Sequence, residues 1–351
     1  GAGAGRAFIA PSGESAVLVS WFEPAGEGSY SLKFGRFDGH TSPEARVIAT
    51  RDDFFVNFAD FPSIVDAGGV YFAHWLQKRG PGTYAYDVHV AVSRDQGSTW
   101  SESVVVHDDG VPAEHGFASL VPLDEPGAIG IAWLDGRNMT GEGEGHDHAG
   151  GDMTLRYAEV DASLAITSPA ELDARTCECC TTAMLITTAG PFVAYRDRSA
   201  DEIRDIGIAR RVAGRWATSD ALEIDGWKIH GCPVNGPQAD ARGDAVAVAW
   251  FTAAEDRPAV RVAFSSDAGG SFSTPIDLAS AGATGYVDCV FVADDRVAIS
   301  WIEDDATIAH IRMREVLTDG TLLPVMTIAA IPRGRTGFPR LALSGTSIFA
   351  V

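Results

Sequence analysis

Val297-Ala298-Ile299-Ser300-Trp301 is a short apolar run that ends in a large aromatic residue, and the chain repeats this pattern. Similar runs end at earlier aromatic residues spaced roughly 50 to 60 positions apart, namely Trp21, Trp75, Trp133, Tyr195 and Trp250. Self-similarity at this interval, built from short strands and turns, indicates a β-propeller. Each run is therefore predicted to be the second strand of a four-stranded blade.

Apolar segments on both sides of each run complete the predicted blades. A shorter stretch precedes the run, as at 61–65, and another follows it, as at 88–93. No long segment has the 3.6-residue period of an amphipathic helix. The sequence therefore predicts an all-β protein, a β-propeller of four-stranded blades that occupies residues 1–351 as a single domain.

The number of blades is predicted by counting pairs of first and second strands. The count includes an early pair, 7–10 with 16–21, and a last pair, 338–343 with 347–351. Seven such pairs favour a seven-bladed propeller, with six blades as the alternative. The last blade is expected to be incomplete, because no further strands follow the seventh pair.

The composition argues against several classes of partner. The chain has 351 residues, of which 46% are hydrophobic, and a formal charge of −21. Nucleic acid is excluded as a partner, because phosphate binding needs clustered Lys and Arg. Membrane insertion is not predicted, because the sequence contains no run of about 18 apolar residues. A small ligand or a metal at the mouth of the propeller is expected, and a protein partner stays open. The protein is expected to be secreted or periplasmic.

Two predicted turns between third and fourth strands carry a sharper motif. Residues 93–100 read SRDQGSTW and residues 265–272 read SSDAGGSF, so both fit S-x-D-x-G-x-[ST]-[WF]. The motif resembles the Asp-box, or BNR repeat, of sialidase-like propellers, and the chain resembles that superfamily over most of its length. In such a turn the aspartate bonds turn amides and the glycine allows a positive φ. The resemblance implies a structural role for Asp95 and Asp267, away from the ligand pocket.

Three of the five cysteines fall within Thr176-Cys177-Glu178-Cys179-Cys180. The other two, Cys232 and Cys289, lie at the start of the next two predicted blades. First strands of neighbouring blades surround the propeller axis, so the loops that lead into them converge. We expect all five thiols, with His115 and His230, to line one mouth of the propeller.

Thiols at this density suit a soft or borderline metal ion, with imidazoles filling vacant positions, or a redox disulfide. Copper is favoured over zinc, because zinc knuckles use paired C-x-x-C units and a compact C-x-C-C suits low coordination. The predicted metal ligands are Cys177, Cys179, Cys180, Cys232, Cys289, His115 and His230. A second alternative is a non-catalytic scaffold that binds a partner at the mouth of the propeller, with disulfides as staples.

The resemblance also implies a second chemistry, that of an exo-sialidase. Such enzymes typically use a tyrosine nucleophile paired with a glutamate, an aspartic acid as proton donor, and arginines that bind the sugar carboxylate. Tyr286 would then be the nucleophile and Asp60 the acid, and the glutamate would be Glu178 or Glu114. The expected arginines are Arg137, Arg196, Arg198 and Arg335. The first-blade R-I-P motif of sialidases is missing, and the cysteines have no role in that mechanism.

Overall fold

The computed structural model describes residues 5–39, 44–80, 82–139, 151–219, 222, 225–280, 282–305, 307–333 and 337–351. It is an all-β structure in which four-stranded sheets form the blades of a propeller, as predicted. Within these ranges the helical structure is a single 3₁₀ turn at Ala254–Asp256. None of the described helical structure is long and apolar enough to span a membrane.

The chain divides into two compact units, one formed by Gly1–Ala174 with Ala342–Val351 and the other by Arg175–Leu341. The first unit contains three blades. Blade one consists of β1 (Gly5–Ser12), β2 (Ala16–Gly26), β3 (Ser29–Phe37) and β4 (Arg46–Arg51). Blade two consists of β5 (Ser63–Ala67), β6 (Val70–Lys78), β7 (Tyr86–Ser93) and β8 (Val104–Val105). Blade three consists of β9 (His115–Pro122), β10 (Ala128–Asp135), β11 (Thr154–Asp161) and β12 (Ile166–Asp173).

The second unit contains three further blades of the same antiparallel design. Blade four consists of β13 (Ala183–Thr187), β14 (Gly190–Arg196), β15 (Ile206–Val212) and β16 (Arg215–Ser219). Blade five consists of β17 (Gln238–Arg242), β18 (Ala245–Thr252), β19 (Ala259–Ser265) and β20 (Ile276–Ala279). Blade six consists of β21 (Ala283–Ala293), β22 (Arg296–Asp304), β23 (Ile308–Leu317) and β24 (Met326–Pro332). The prediction of a single domain stays a prediction.

Across the described residues these sheets make six blades, so the alternative count is the one observed and the favoured count of seven is wrong. The last predicted pair forms a separate two-stranded sheet, β25 (Leu341–Ser344) and β26 (Ser347–Ala350). Ala342 and Phe349 of this pair pack in the apolar core of blade one. An inner pair of strands has the same sequence pattern with or without two outer strands, so counting pairs overestimated the blades.

The repeated aromatic residues all lie in the second strand of their blade, as predicted. Apolar clusters join blades one and two, and two and three, in the first unit. Equivalent clusters join blades four and five, and five and six, in the second unit, where Trp250 and Trp301 are buried. Neighbouring blades therefore cover both faces of these strands, which explains their nearly continuous apolar sequence.

A polar contact recurs at four of these aromatic residues. Each indole N–H donates to the side chain two residues further along the strand, in the pairs Trp21–Glu23, Trp75–Gln77, Trp133–Asp135 and Trp301–Glu303. Residues i and i+2 of a strand face the same side, so the pair satisfies the indole nitrogen within one strand. The spacing W-x-[E/Q/D] is thus a local signal of the blade.

The turns at Asp95 and Asp267 share one hydrogen-bond pattern. Each aspartate accepts from the serine hydroxyl two residues before it, and from the amide and hydroxyl of the residue four positions after it. These bonds lower the pKa of both carboxyl groups to about 2. Gly97 and Gly269 adopt φ of +83° and +79°, which favours glycine at both positions.

Candidate functional site

The segment 177–180 lies directly before β13 and alongside the end of β14. Its position is fixed by the Cys177 amide, which donates to the carbonyl oxygen of Arg196 at 3.0 Å. Cys177, Cys179 and Cys180 are buried, and their sulfur atoms all lie within 4.8 Å of one another. Cys177 Sγ is 2.9 Å from Cys180 Sγ and 4.0 Å from Cys179 Sγ. The segment therefore directs three thiols to one place.

Cys232 joins these thiols from the loop that leads into blade five. Its thiol makes a side-chain hydrogen bond with Cys179. The approach of this loop depends on Gly236, because a Cβ added there would lie 2.0 Å from the carbonyl oxygen of Thr181. A residue without a side chain thus lets loops from two blades meet. We call Cys177, Cys179, Cys180 and Cys232 the thiol cluster.

Cys177 has an unusual electrostatic environment within the thiol cluster. Burial alone would raise the pKa of its thiol, but hydrogen bonds with Cys179 and Cys180 and the charge of Arg204 hold that pKa well below its ordinary value. Arg204 Nη1 donates to Cys177 Sγ at 3.3 Å. Burial raises the pKa of Cys180, and hydrogen bonds with the other thiols raise the pKa of Cys179. Within the cluster, Cys177 is therefore the thiol whose surroundings favour the thiolate form.

Two glutamates fix the position of Arg204. Glu178 is buried and accepts from Arg204 at 2.7 Å and from Arg198. Glu202 accepts from the same two arginines, and the bond from Arg198 is the main reason that the pKa of Glu202 falls to about 2. Since Glu178 lies between two of the cysteines in sequence, this network holds the thiols and their counter-charge together.

The remaining predicted ligands have other surroundings. Cys289 lies in the apolar core of blades five and six, where burial raises the pKa of its thiol. His230 is exposed. His115 lies in the first unit, where its Nε2 is 3.0 Å from Asp109 Oδ2. A shared role of His115 and the thiols stays a prediction.

The arginines expected to bind a sugar carboxylate are engaged with protein groups. Arg196 is buried and donates to three backbone carbonyl oxygens at 2.5–2.8 Å. Arg198 is held by the two glutamates described above, and Arg137 pairs with Asp135 at 2.7 Å. Arg335 lies outside the described residues. The described arginines thus have structural partners that the sequence did not indicate.

A tyrosine–glutamate pair of the kind implied by the resemblance is present at a tyrosine that sequence reasoning missed. Tyr86 Oη donates to Glu114 at 2.5 Å, and burial raises the pKa of Tyr86 well above its ordinary value. Asp60 is buried in the same unit, and burial raises its pKa to about 7. Tyr286 is half-buried in β21 and donates its amide to Asn235 at 2.8 Å. Tyr86 begins a strand with an apolar pattern, so its sequence context resembles that of a core residue.

Comparison with known proteins shows similarity of fold. No family model matches the sequence, and no curated protein matches it. A Hadza microbial sialidase, Hz136, aligns with a TM-score of 0.53 at 11% identity, covering 92% of this chain and 70% of that one. A neuraminidase-like protein from A/bat/Guatemala aligns with a TM-score of 0.52 at 9% identity, covering 86% and 83%.

A third similar structure is the α-L-arabinofuranosidase Arb93A from Fusarium graminearum. It aligns with a TM-score of 0.51 at 10% identity, covering 94% of this chain and 93% of that one. Identities this low show the fold alone. The chain therefore has a sialidase-like propeller fold, and its function has to be argued from its own residues.

Proposed function

We propose that Cys177, Cys179, Cys180 and Cys232 bind a soft transition-metal ion, with copper(I) favoured and zinc as the alternative. The observation that carries the proposal is that three buried thiols lie within 4.8 Å of one another and that Cys232, from a second loop, contacts Cys179. Thiolate ligands select soft ions, and copper(I) in particular. The cluster is mostly buried, which suits a small ion better than a macromolecular substrate.

The charges around the thiol cluster support this proposal. Metal binding deprotonates thiols, so several negative sulfur atoms would surround one cation. Arg204 contacts Cys177, and the charge of Arg196 favours the thiolate form of Cys180. These guanidinium groups offset the excess negative charge of a metal–thiolate centre inside the protein.

Copper(I) titration under anaerobic conditions against a chromophoric chelator tests the proposal. We expect wild-type protein to hold one copper(I) ion per chain, and Cys177→Ser and Cys180→Ser to lose it. Cys289→Ala is the matched control, because Cys289 lies in the apolar core, and it should keep the full stoichiometry. Failure of the wild type to retain copper, or equal retention by Cys180→Ser, would contradict the proposal. A parallel zinc titration decides between the two ions.

A dithiol–disulfide couple is the second candidate, favoured by the 2.9 Å between the sulfurs of Cys177 and Cys180. The Cys177 thiolate would attack a small disulfide and release one of its thiols. Cys180 would then attack the Cys177 sulfur of the mixed disulfide and release the second. The pair loses two electrons, and the small disulfide gains them and leaves as two thiols. This couple is tested by equilibrating the protein in different redox buffers, unfolding it and counting its free thiols. The dithiol–disulfide couple alone makes the count fall by two as the buffer becomes oxidising.

Glycoside hydrolysis is a further candidate, favoured by the Tyr86–Glu114 pair and by the similarity to structures of glycoside hydrolases. Tyr86 is 1% exposed, so a sugar would reach it only if the site opened. Hydrolysis of chromogenic sialosides and arabinofuranosides is the test. Activity that survives Cys180→Ser and is lost in Tyr86→Phe would place the chemistry at the tyrosine.

A further inference from the structure

A second group of metal-binding side chains lies in the first unit, where blade two meets blade three. Asp87 lies on β7, His107 and Asp109 follow β8, and His115 begins β9. Their side chains are between 0% and 8% exposed. Buried carboxylates and imidazoles at this density need a structural or functional reason.

His107 is the member of this group that the protein leaves unsatisfied. Its side chain is fully buried, and neither ring nitrogen has a hydrogen-bond partner among the described residues. Nδ1 nevertheless lies 3.2 Å from Asp109 Oδ2, and Nε2 lies 3.5 Å from Asp87 Oδ1. An uncharged imidazole has one nitrogen with a lone pair, so a buried ring without partners leaves that lone pair unsatisfied. A cation beside that lone pair would remove the cost of leaving it unpaired.

Asp109 lies against one nitrogen of each imidazole ring. Its Oδ2 is within hydrogen-bond distance of His115 Nε2, at 3.0 Å, and lies 3.2 Å from His107 Nδ1. The opposite nitrogens, His107 Nε2 and His115 Nδ1, face Asp87 Oδ1 at 3.5 and 3.7 Å. Histidines that ligate metals commonly donate their other N–H to a carboxylate in this way.

We propose that Asp87, His107 and His115 bind a divalent transition-metal ion, with zinc as the ion that best matches two imidazole nitrogens and one carboxylate oxygen. A tetrahedron with bonds of about 2.0–2.1 Å has ligands roughly 3.4 Å apart, close to the separations from Asp87 Oδ1. The carbonyl oxygens of Tyr86 and Ala113 each lie 3.1 Å from His115 Nδ1, and either can supply a fourth ligand.

The neighbouring arginines leave the position between Asp87, His107 and His115 open for an ion. Arg137 pairs with Asp109 and Asp135, so these two carboxylates already have a cation. Asp87 is paired with Arg79, whose side chain is one-third exposed and can turn to solvent when an ion binds. The ion would then connect β7 of blade two with β9 of blade three. A closed ligand set in a buried position indicates a structural metal site.

The imidazole rings give the proposal a structural signature. His107 and His115 stack with centroids 3.8 Å apart and an interplanar angle of 14°. A ring nitrogen directs its lone pair in the plane of the ring, so the two rings must open away from each other to share one ion. The metal-bound form is therefore expected to have a larger angle between them.

Anomalous diffraction at the zinc edge, from crystals of the whole chain grown with zinc, tests the proposal. We expect a peak about 2.0–2.1 Å from His107 Nε2, His115 Nδ1 and Asp87 Oδ1. The position of the peak separates this site from the thiol cluster. A map with no zinc beside His107, or with zinc at the thiols alone, would overturn the proposal.

A matched pair of variants tests the same zinc site in solution. Zinc should raise the melting temperature of the wild type and of His89→Ala, and this rise should be lost in His107→Ala. His89 is the control because it lies on β7 and has its own partner, Ser103, at 2.9 Å. An equal zinc-induced rise in both variants would also overturn the proposal. If His107→Ala does not fold, the anomalous map of the wild type decides alone.

Discussion

The protonation of Cys177 depends on its neighbours. It is fully buried, and a buried thiol is ordinarily neutral. Hydrogen bonds with two other thiols and the guanidinium of Arg204 instead lower the pKa of this thiol well below its ordinary value. The thiolate is the form that binds metals and attacks disulfides, so both leading functional candidates depend on the same local electrostatics.

Replacing Arg204 with glutamine should raise the pKa of the Cys177 thiol. The change removes the positive charge that contacts the sulfur, whereas Arg198→Gln removes a charge that contacts Glu178. A pH titration of the ultraviolet thiolate absorbance measures the effect. We expect the absorbance at neutral pH to fall in Arg204→Gln and to persist in Arg198→Gln. Identical titrations of both variants would mean that Arg204 has no direct effect on the thiolate.

The sequence indicated the thiols but not their counter-charge. Three cysteines within four positions are rare enough to predict a site. Arg204 is one of several charged residues in the loop between β14 and β15, and nothing in its spacing connects it to Cys177. Its role depends on the backbone path and on the buried Glu178, which long-range packing determines.

At the scale of secondary structure, loops that lead into first strands bring the thiols together. The loop before β13 carries three cysteines, and the loop before β17 carries Cys232. The close approach of the second loop to Thr181 at Gly236 sets this geometry. Pro233 and Pro237 restrict the backbone on either side of that contact.

Gly236→Ala should separate the two loops. The added Cβ would lie 2.0 Å from the carbonyl oxygen of Thr181, so the loop that carries Cys232 has to move. Overpacking of this kind typically costs about 1–3 kcal/mol. We expect a lower melting temperature and weaker copper binding. Gly80→Ala is the control, because an added Cβ there meets nothing within 4 Å, and unchanged copper affinity in Gly236→Ala would show that Cys232 is dispensable.

Asp267→Ala should lower the melting temperature without changing metal binding. The carboxylate accepts from Ser265 and from the amide and hydroxyl of Ser271, so its loss leaves the turn between β19 and β20 without its main hydrogen bonds. Differential scanning calorimetry and copper titration of the same sample measure both quantities. Loss of copper binding with an unchanged melting temperature would assign the aspartate to the functional site.

Second strands could be predicted from sequence more accurately than first strands. Runs that end in an aromatic residue matched β2, β6, β10, β14, β18 and β22. First strands are less regular, as in β21, which begins at Ala283. Its pairing with β22 shifts register near Gly285, and Tyr286 has a φ of +53°. These irregularities remove the alternating pattern on which the prediction relies.

At the scale of the whole molecule, buried carboxyl groups connect successive first strands. Asp240 accepts from the amide of Phe291, and Asp288 accepts from the amide of Leu341. Burial raises the pKa of both aspartates to about 6. They are therefore protonated over part of the range in which an exposed aspartate is charged, which makes stability depend on pH.

The free energy of unfolding should differ between wild type and the double variant Asp240→Asn, Asp288→Asn in a pH-dependent way. Between about pH 4 and pH 6 the folded chain binds more protons at these two aspartates than the unfolded chain does. Their stabilising contribution to the free energy of unfolding is therefore fully present below about pH 4 and is lost as the pH rises through about 6. Each unit of raised pKa corresponds to about 1.4 kcal/mol.

Urea unfolding of both proteins across this range measures that difference. Buried neutral histidines such as His74 and His89, whose pKa burial lowers, act in the opposite direction over the same range. They are common to both proteins and cancel. A constant difference between wild type and the variant would mean that the two aspartates titrate normally.

The central claim, that four converging thiols form a metal site, is tested most directly by X-ray absorption spectroscopy of copper-loaded protein. We predict a first shell of sulfur atoms alone, unchanged in Cys289→Ala and depleted in Cys180→Ser. Zinc-loaded protein should show sulfur at about 2.3 Å if zinc takes the same site. A first shell of nitrogen and oxygen, or no copper retained by the wild type, would contradict the account.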